Sequence, residues 1–483
     1  MSQVAAAAEF PQAKASAAAI LALRLAFIAA APGVLTGIVS TTANIPITRY
    51  IQMLLYMPAV VLGIGIWCRS KSFARSAPVV SCVLLSWVGF LYASPQWSEG
   101  VEFIAQVTIL LPVAALIVET GAWMTCARTF IYANAAVLAL LFWIEYQKHG
   151  LSLFLGMHRF GCIYTEDFDQ VIANPNSVGG QLAFVAVLSL ALFVRAGRPR
   201  PQTTGVRPAK GVGVGWPLLY SLFCLLTASR GSFTALLAAT ATLLVGSVRS
   251  QRPSRYRDLG AFSIVAAAVL ATLVSSGLFA PWELLSQRWK QTDNVATVGD
   301  RAEIWWDAYC AWRVDPVRSV IGTGTGAAPV VLGQFNTHTM INDGHVVRGT
   351  HSAYVEWGLS FGLLGLLPGI WLLGAMGRRA LAMDQRDGSS TRTAILICVG
   401  VLAAVSEVHR WPSSLAVGSL VLAMLSDPPG SSRKCRPTRP ERGTPAAEPA
   451  LRSRVWKSPA VVPRPLAMEA GVGQKAAAGG EMR

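Results

Sequence analysis

Few residues of this sequence could do chemistry, and three of them stand where their presence needs a reason. Arg230 interrupts an otherwise apolar run, LLTASRGSFTALLAATATLLVG at 225–246. At the centre of a bilayer an arginine costs roughly 2.5–3.5 kcal/mol on insertion scales. It marks either a helix end at the water boundary or a position with a job. Arg301 lies in GDRAEIWWDAYCAWRVDP at 299–316, where Arg301, Trp305, Ala308 and Trp312 share one stripe at helical spacing. Asp300 and Glu303 have the spacing of an N-cap and its capping-box partner, and Pro316 stops the helix. His351 opens the run THSAYVEWGLSFGLLGLLPGIWLL at 350–373, one turn from Tyr354, Val355 and Glu356. Each has a plainer alternative. These are a snorkelling interfacial arginine, a tryptophan-rich anchor helix and a structural histidine at a helix start.

Weaker candidates surround these three. Asp167 and Asp169 form a D-x-D pair within TEDFDQ at 165–170, which could hold a divalent cation against a diphosphate. Such pairs also arise by chance in polar loops. His338, His345 and His351 match no standard zinc spacing. Cys162 and Cys310 could pair in an oxidising compartment. The six other cysteines are scattered without a C-x-x-C pair, so neither a zinc ribbon nor a disulfide scaffold is indicated. IGTGTG at 321–326 reads as a flexible turn, since no strand–loop–helix context makes it a phosphate loop. In RFG…NPNSVGG, Arg159, Asn174 and Asn176 could contact sugar hydroxyls, or N-P-N could cap the next helix, the role favoured for Pro175.

The elements that position these residues follow from composition. The 483 residues are 53% hydrophobic and only 14% charged, against about 25% charged in soluble domains. The chain therefore reads as an all-α polytopic membrane protein. Roughly 20 apolar residues cross the hydrocarbon layer as a helix. That criterion predicts about twelve spans, near 17–39, 47–67, 77–93, 101–118, 127–146, 178–195, 213–229, 231–248, 259–280, 352–377, 393–408 and 411–426.

Charge orients them. Lys and Arg number 41 against 25 Asp and Glu, a formal net charge of +16. No nucleic-acid-binding signature accompanies the excess, so nucleic acid is not an expected partner. The basic residues concentrate in alternate loops, CRSKSFARS at 68–76, RAGRPRPQTTGVRPAK at 195–210, RSQRPSRYRD at 249–258 and GRRALAMDQRDGSSTR at 377–392. The positive-inside rule puts these loops and both termini in the cytoplasm, and an even number of spans agrees. Two longer outer segments remain, near 147–177 and 281–350; loops of that length are usually functional. The integral domain is thus expected over 1–426, with 427–483 a disordered basic cytoplasmic tail that could rest on anionic lipid. An uncleaved first span is favoured over a signal peptide, because Arg24 interrupts the apolar core. In this topology Arg230 occupies a tight hairpin at the outer boundary, with Gly231 taking the turn angles.

An arginine in an S-R-G hairpin, then R-x-x-I-W, then D-P…G-x-G-x-G, then H-S-x-Y opening a span with a G-x-x-G tail resembles the O-antigen ligase and polymerase superfamily. RFG…NPN resembles that family's R-x-G…N-P-N segment, so the likeness runs over roughly 150–375. Ser352 stands where Asn is common, and CIYTEDFDQVIA stretches the R-x-G to N-P-N spacing. The resemblance implies a GT-C-like glycosyltransferase of the bacterial inner membrane with its active site facing the periplasm. It implies a donor glycan on undecaprenyl diphosphate and an acceptor sugar hydroxyl, on lipid A core or a growing polysaccharide, with no resident cofactor. Arg230 and Arg301 would bind the diphosphate and His351 would act at the acceptor or reacting centre. Arg159, Asn176 and Glu356 would be further substrate-binding residues. Membrane lipids and polysaccharide assembly proteins are the other implied partners.

Such chemistry suits these side chains. Guanidinium stays protonated and grips phosphate oxygens in bidentate fashion. A neutral histidine can take a proton from an acceptor hydroxyl, for about 10²–10⁴-fold in rate. Two other classes stay open. A transporter or flippase also uses twelve spans, but places ionisable groups near the midplane and often shows repeats. A non-catalytic scaffold would tolerate loss of Arg230, Arg301 and His351.

Overall fold

In lipid, a backbone has no water to bond, so apolar runs satisfy their own amides as helices. The computed structural model describes residues 17–34, 47–69, 97–153, 158–161, 163–164, 171–196, 212–249, 286, 296–324, 328, 331–332, 350–405 and 414–426. All lie in the first of two units, Met1–Ser432. The helices among them are α1 (Ala17–Ala30), α2 (Ile47–Arg69), α3 (Trp97–Thr120), α4 (Trp123–His149), α5 (Pro175–Ala196) and α6 (Gly215–Leu226). They continue with α7 (Arg230–Arg249), α8 (Ala296–Arg313), α9 (Pro316–Ile321), α10 (Ala353–Asp387), α11 (Thr391–Val405) and α12 (Ser414–Leu425).

Three of these, α4, α5 and α10, are long and apolar enough to cross a membrane, and seven shorter apolar helices accompany them. Ten expected spans coincide with a described helix. Those at 77–93 and 259–280, with the tail, lie outside the described residues. The all-α expectation needs one amendment. Within the segment near 147–177, β1 (Ile163–Tyr164) pairs antiparallel with β2 (Val171–Ala173) as a two-stranded ribbon.

Helix α5 is buried nearly all round and packs against α4, α6, α7 and α11. Its position is set by small residues. A side chain at Gly179 would put a Cβ 2.5 Å from Thr227 Oγ1, so glycine lets α5 reach the α6–α7 turn. Aromatic edges fill the remaining space, with Phe130 against both Phe27 and Phe184 at 6.1 and 6.3 Å between ring centroids.

Helices α7 and α11 run antiparallel in close contact. Gly231 abuts Val405 at one end and Gly246 abuts Ser390 at the other. The Gly231 end, which also receives the starts of α5 and α10, is called the site end below. At the far end, Arg392 Nε bonds the Met424 carbonyl at 3.4 Å and Arg379 Nε bonds the Leu425 carbonyl.

Three local expectations change. The α6–α7 turn takes its left-handed residue at Ala228, φ 46°. Gly231 is helical, and what it supplies is the missing side chain against Val405. Helix α8 begins at Ala296, so Asp300 and Glu303 lie inside it rather than at its N-cap and N3. Gly299 costs a helix interior about 1 kcal/mol, but it falls in the first turn, where chain-end fraying makes the penalty smaller. Pro316 does end α8 and also starts α9, with Asp315 as N-cap accepting from Val317 N at 2.8 Å.

The third change concerns IGTGTG, which is not a free turn. Helix α10 breaks at Gly362 (φ 58°, ψ −157°), a conformation only glycine adopts cheaply. The break removes the donors that Leu359 and Ser360 carbonyls would meet four residues on. Thr323 N and Gly324 N supply replacements at 2.9 and 3.0 Å, and Thr323 Oγ1 adds a bond to Leu359 O at 3.1 Å. Residues 322–324 are buried in this stitch.

Candidate active site

Two clusters stand at the site end. The first is built on the α6–α7 turn. The left-handed Ala228 ends α6 and leaves the last carbonyls of that helix needing partners. Phe160 N donates to Leu226 O at 3.0 Å, and Arg159 Nε donates to Thr227 O at 2.9 Å. A cation at a helix C-terminus is also favoured by the helix dipole. Arg159 reaches further, its Nη2 donating to Asn176 Oδ1 at 2.9 Å. Asn174 caps α5, its Oδ1 accepting from Asn176 N at 2.9 Å, with Pro175 at N1. Arg159, Asn174, Asn176 and the hairpin bearing Arg230 are thereby one hydrogen-bonded assembly.

The turn itself is polar and closed. Thr227, Ala228 and Ser229 are buried, Ser232 Oγ donates to Ser229 Oγ at 2.8 Å, and Ser229 N donates to Thr227 Oγ1 at 3.4 Å. Arg230 follows as the first residue of α7, half-buried, its carbonyl accepting from Thr234 Oγ1 at 2.9 Å. The preceding segment is held from behind: Gly161 N donates to Glu145 Oε1 at 2.9 Å, and His149 stacks on His158 with centroids 4.0 Å apart.

The second cluster is built on Thr350, His351 and Ser352. His351 is exposed and left-handed, φ 54°; histidine is among the few non-glycine residues enriched there. Ser352 is the N-cap of α10, its Oγ accepting from Val355 N at 3.5 Å. Serine and asparagine cap about equally well, which accounts for Ser352 where the resembled motif has Asn. Thr350 is fully buried, with Oγ1 2.8 Å from Ser352 O and 3.2 Å from Glu356 Oε2. Glu356 is buried beneath the turn, so its carboxyl supports the turn that carries His351.

Helix α8 docks on this turn. Trp305 Nε1 donates to Thr350 O at 2.9 Å. Ile304, Ala308 and Ala311 are buried against Leu359, Ala328, Val331 and Leu332, with Trp305 and Trp312 packed alongside. The stripe read from the sequence thus faces the protein at Trp305, Ala308 and Trp312. Arg301 lies in α8 one turn before Trp305; its side chain lies outside the described residues.

Helix α11 joins the two clusters. Gly231, next to Arg230, abuts Val405, and Tyr354, three residues after His351, donates its hydroxyl to Gly400 O at 3.1 Å. Residues 400 and 405 are separated by about 8 Å of helix at 1.5 Å per residue. Sequence reasoning missed Thr227, Thr350 and Glu145, the groups that hold these turns. Their only signal was a hydroxyl or carboxyl in an apolar setting.

Among the described residues no group of three or more His, Cys, Asp and Glu could hold a metal ion. Asp167, Asp169, His338, His345 and Cys162 lie outside them, and Cys310 is a free thiol on α8. No curated protein matches the chain. Residues 216–368, from the start of α6 to Pro368 within α10, match the family described as O-antigen ligase. That match makes this membrane chain similar to the O-antigen ligase and polymerase superfamily, glycosyltransferase-type enzymes, over the stretch that holds Arg230, Arg301 and His351.

Proposed function

We propose that the protein is a glycosyltransferase that moves a glycan from an undecaprenyl diphosphate carrier to a sugar hydroxyl. The observation that carries this reading is the convergence of the Arg230 turn and the His351 turn on one end of α11, inside the matched region. Arg230 and Arg301 hold the diphosphate. As the acceptor oxygen attacks the anomeric carbon, the bond to the diphosphate breaks, and the guanidinium groups stabilise the charge that develops there. Charge placed in advance at such a position is usually the largest catalytic contribution. His351 takes the proton of the acceptor hydroxyl. Attack from the face opposite the leaving group inverts the anomeric centre.

Arg159 and Asn176 shape the diphosphate side of the site through the Arg230 hairpin, and Glu356 sets the His351 turn. The guanidinium groups do the work a divalent cation could do, so turnover is metal-independent and uses no cofactor. The fold is GT-C-like with about twelve spans and one large outer loop. It sits in a bacterial inner membrane, with both termini cytoplasmic and the site end periplasmic. Acceptors are lipid A core or a growing polysaccharide, and polysaccharide assembly proteins are neighbours. The transporter reading gains nothing from the O-antigen ligase match.

Mass analysis of carrier-linked glycans in cells with and without the protein tests this reading. Loss of a polymerase leaves single repeat units on the carrier, and loss of a ligase leaves long chains on it. A carrier pool unchanged by deletion overturns the proposal.

A further inference from the structure

The face of α8 turned away from the protein, and the stretch that follows it into α9, also expose large apolar side chains. Trp306 is 62% exposed and Val314 62% exposed, with Tyr309, Val317 and Val320 exposed beside them. Trp306 and Tyr309 are in ring contact, 5.5 Å between centroids, and the Arg313 guanidinium lies 6.0 Å over the Tyr309 ring. Trp, Tyr and Arg together are the composition of the headgroup layer, where amphipathic rings and long cationic side chains each meet both phases. Helices α8 and α9 also both pack on a candidate span, α10. Val320 closes on the α10 break, since a Cβ at Gly362 would lie 2.6 Å from its carbonyl. Directly after that break Leu364, Leu367, Ile370 and Trp371 are exposed along α10, one of the helices able to cross the membrane.

We propose that the outward face of α8, with α9, is an in-plane membrane anchor that docks on the phospholipid headgroup layer at the site end. Its occupant is lipid because these exposed rings and valines sit on helices packed against α10, which exposes its own apolar residues after the break. Its depth is the headgroup layer because Arg313 and Arg318 share the surface with the rings and valines. The opposite face of α8 bonds the turn before His351 through Trp305. Docking therefore fixes the height of the second cluster relative to lipid phosphates. On the glycosyltransferase reading, that is the height at which a carrier diphosphate presents itself to Arg301.

The test uses the full chain in phosphatidylethanolamine–phosphatidylglycerol nanodiscs doped with a diazirine phospholipid. The diazirine is placed either on the headgroup or in mid-chain, and labelled peptides are mapped by mass spectrometry. The expected result is that 306–320 is labelled ~5-fold or more in favour of the headgroup probe and 364–371 in favour of the mid-chain probe. Trp306→Ser combined with Val317→Ser should abolish most headgroup labelling at 306–320 and leave labelling at 364–371 intact. Absent headgroup labelling at 306–320 while 364–371 is labelled overturns the proposal. So does mid-chain preference at 306–320, and so does protection of that segment from both probes, as a second copy seated on it would give. Because labelling needs no turnover, its failure is separate from any failure of the transferase reading.

Discussion

The two ends of α11 are built by opposite rules. At the far end, the left-handed residue that closes α10 is Gly388, φ 57°, where the conformation is nearly free of cost. The charges there are closed on one another. Asp384, buried, accepts from Ser389 Oγ at 3.0 Å, Thr393 N at 2.8 Å and Thr393 Oγ1 at 2.9 Å, and Arg392 Nη1 reaches Asp387 at 2.6 Å. At the site end Gly161 is left-handed too, φ 77°, but two further left-handed positions are held by Ala228 and His351, the two non-glycine residues with positive φ among those described. Such conformations cost of order 1–3 kcal/mol each and persist where the surroundings over-determine them. The far end thus turns at a glycine, whereas the site end also accepts strain beside its candidate catalytic residues. Strain is a signature of position here, since both strained residues lie within two positions of a cluster that also holds a cation or an imidazole.

Four experiments break or sharpen that contrast, taken from the largest effect downward. Arg230→Ala and His351→Ala should each lower transferase turnover by roughly 10²–10³-fold at unchanged membrane abundance, assayed on carrier-linked donor. Wild-type product from both would leave the strain without a catalytic purpose. Arg159→Ala should lower turnover about tenfold, because the Thr227 carbonyl loses its donor and the hairpin its tie to Asn176. Arg159→Lys should restore only part, since an ammonium can cap the carbonyl but not span to Asn176. Asp384→Ala should cost about 3 kcal/mol of stability, seen as a lower Tm in detergent, with kcat and KM of the folded protein unchanged. Ala228→Gly should add about 1 kcal/mol of stability, read as a higher Tm, the relief that Gly388 already enjoys at the far end. An Ala228→Gly variant with lower Tm would mean that Ala228 is not strained.

Much of this was legible in the sequence, and the gaps have physical causes. Span periodicity predicts the helices that carry the site: α7 and α11 lie close to their expected ranges, while α10 runs on to Asp387 through most of what reads as a basic loop at 377–392. Turn chemistry is harder. Gly231 is the obvious turn residue beside Arg230, yet the left-handed angle falls on Ala228 because Gly231 is needed against Val405. That choice is made by α11, more than 150 residues away in sequence. The glycines of IGTGTG likewise make sense only once the break at Gly362 has left two carbonyls to satisfy. Arg159 could be read as a sugar-binding group or a structural one, and its bonds to Thr227 O and Asn176 tie it to two turns distant in sequence. Local propensity cannot report partners of that kind.

The break in α10 has a mechanical consequence. Its two parts answer to different frames of reference. The part after Gly362 extends through 387, roughly 37 Å of helix at 1.5 Å per residue, apolar as far as Gly377 and charged from Arg378 onward. The part before Gly362 carries the histidine and is fastened sideways, by Thr323 and Gly324 at its end and by Trp305 at its start. Because Gly362 interrupts the helix, the axis of the long part does not continue into the part before it, and the orientation of the histidine's turn is set by the bonds of Thr323, Gly324 and Trp305.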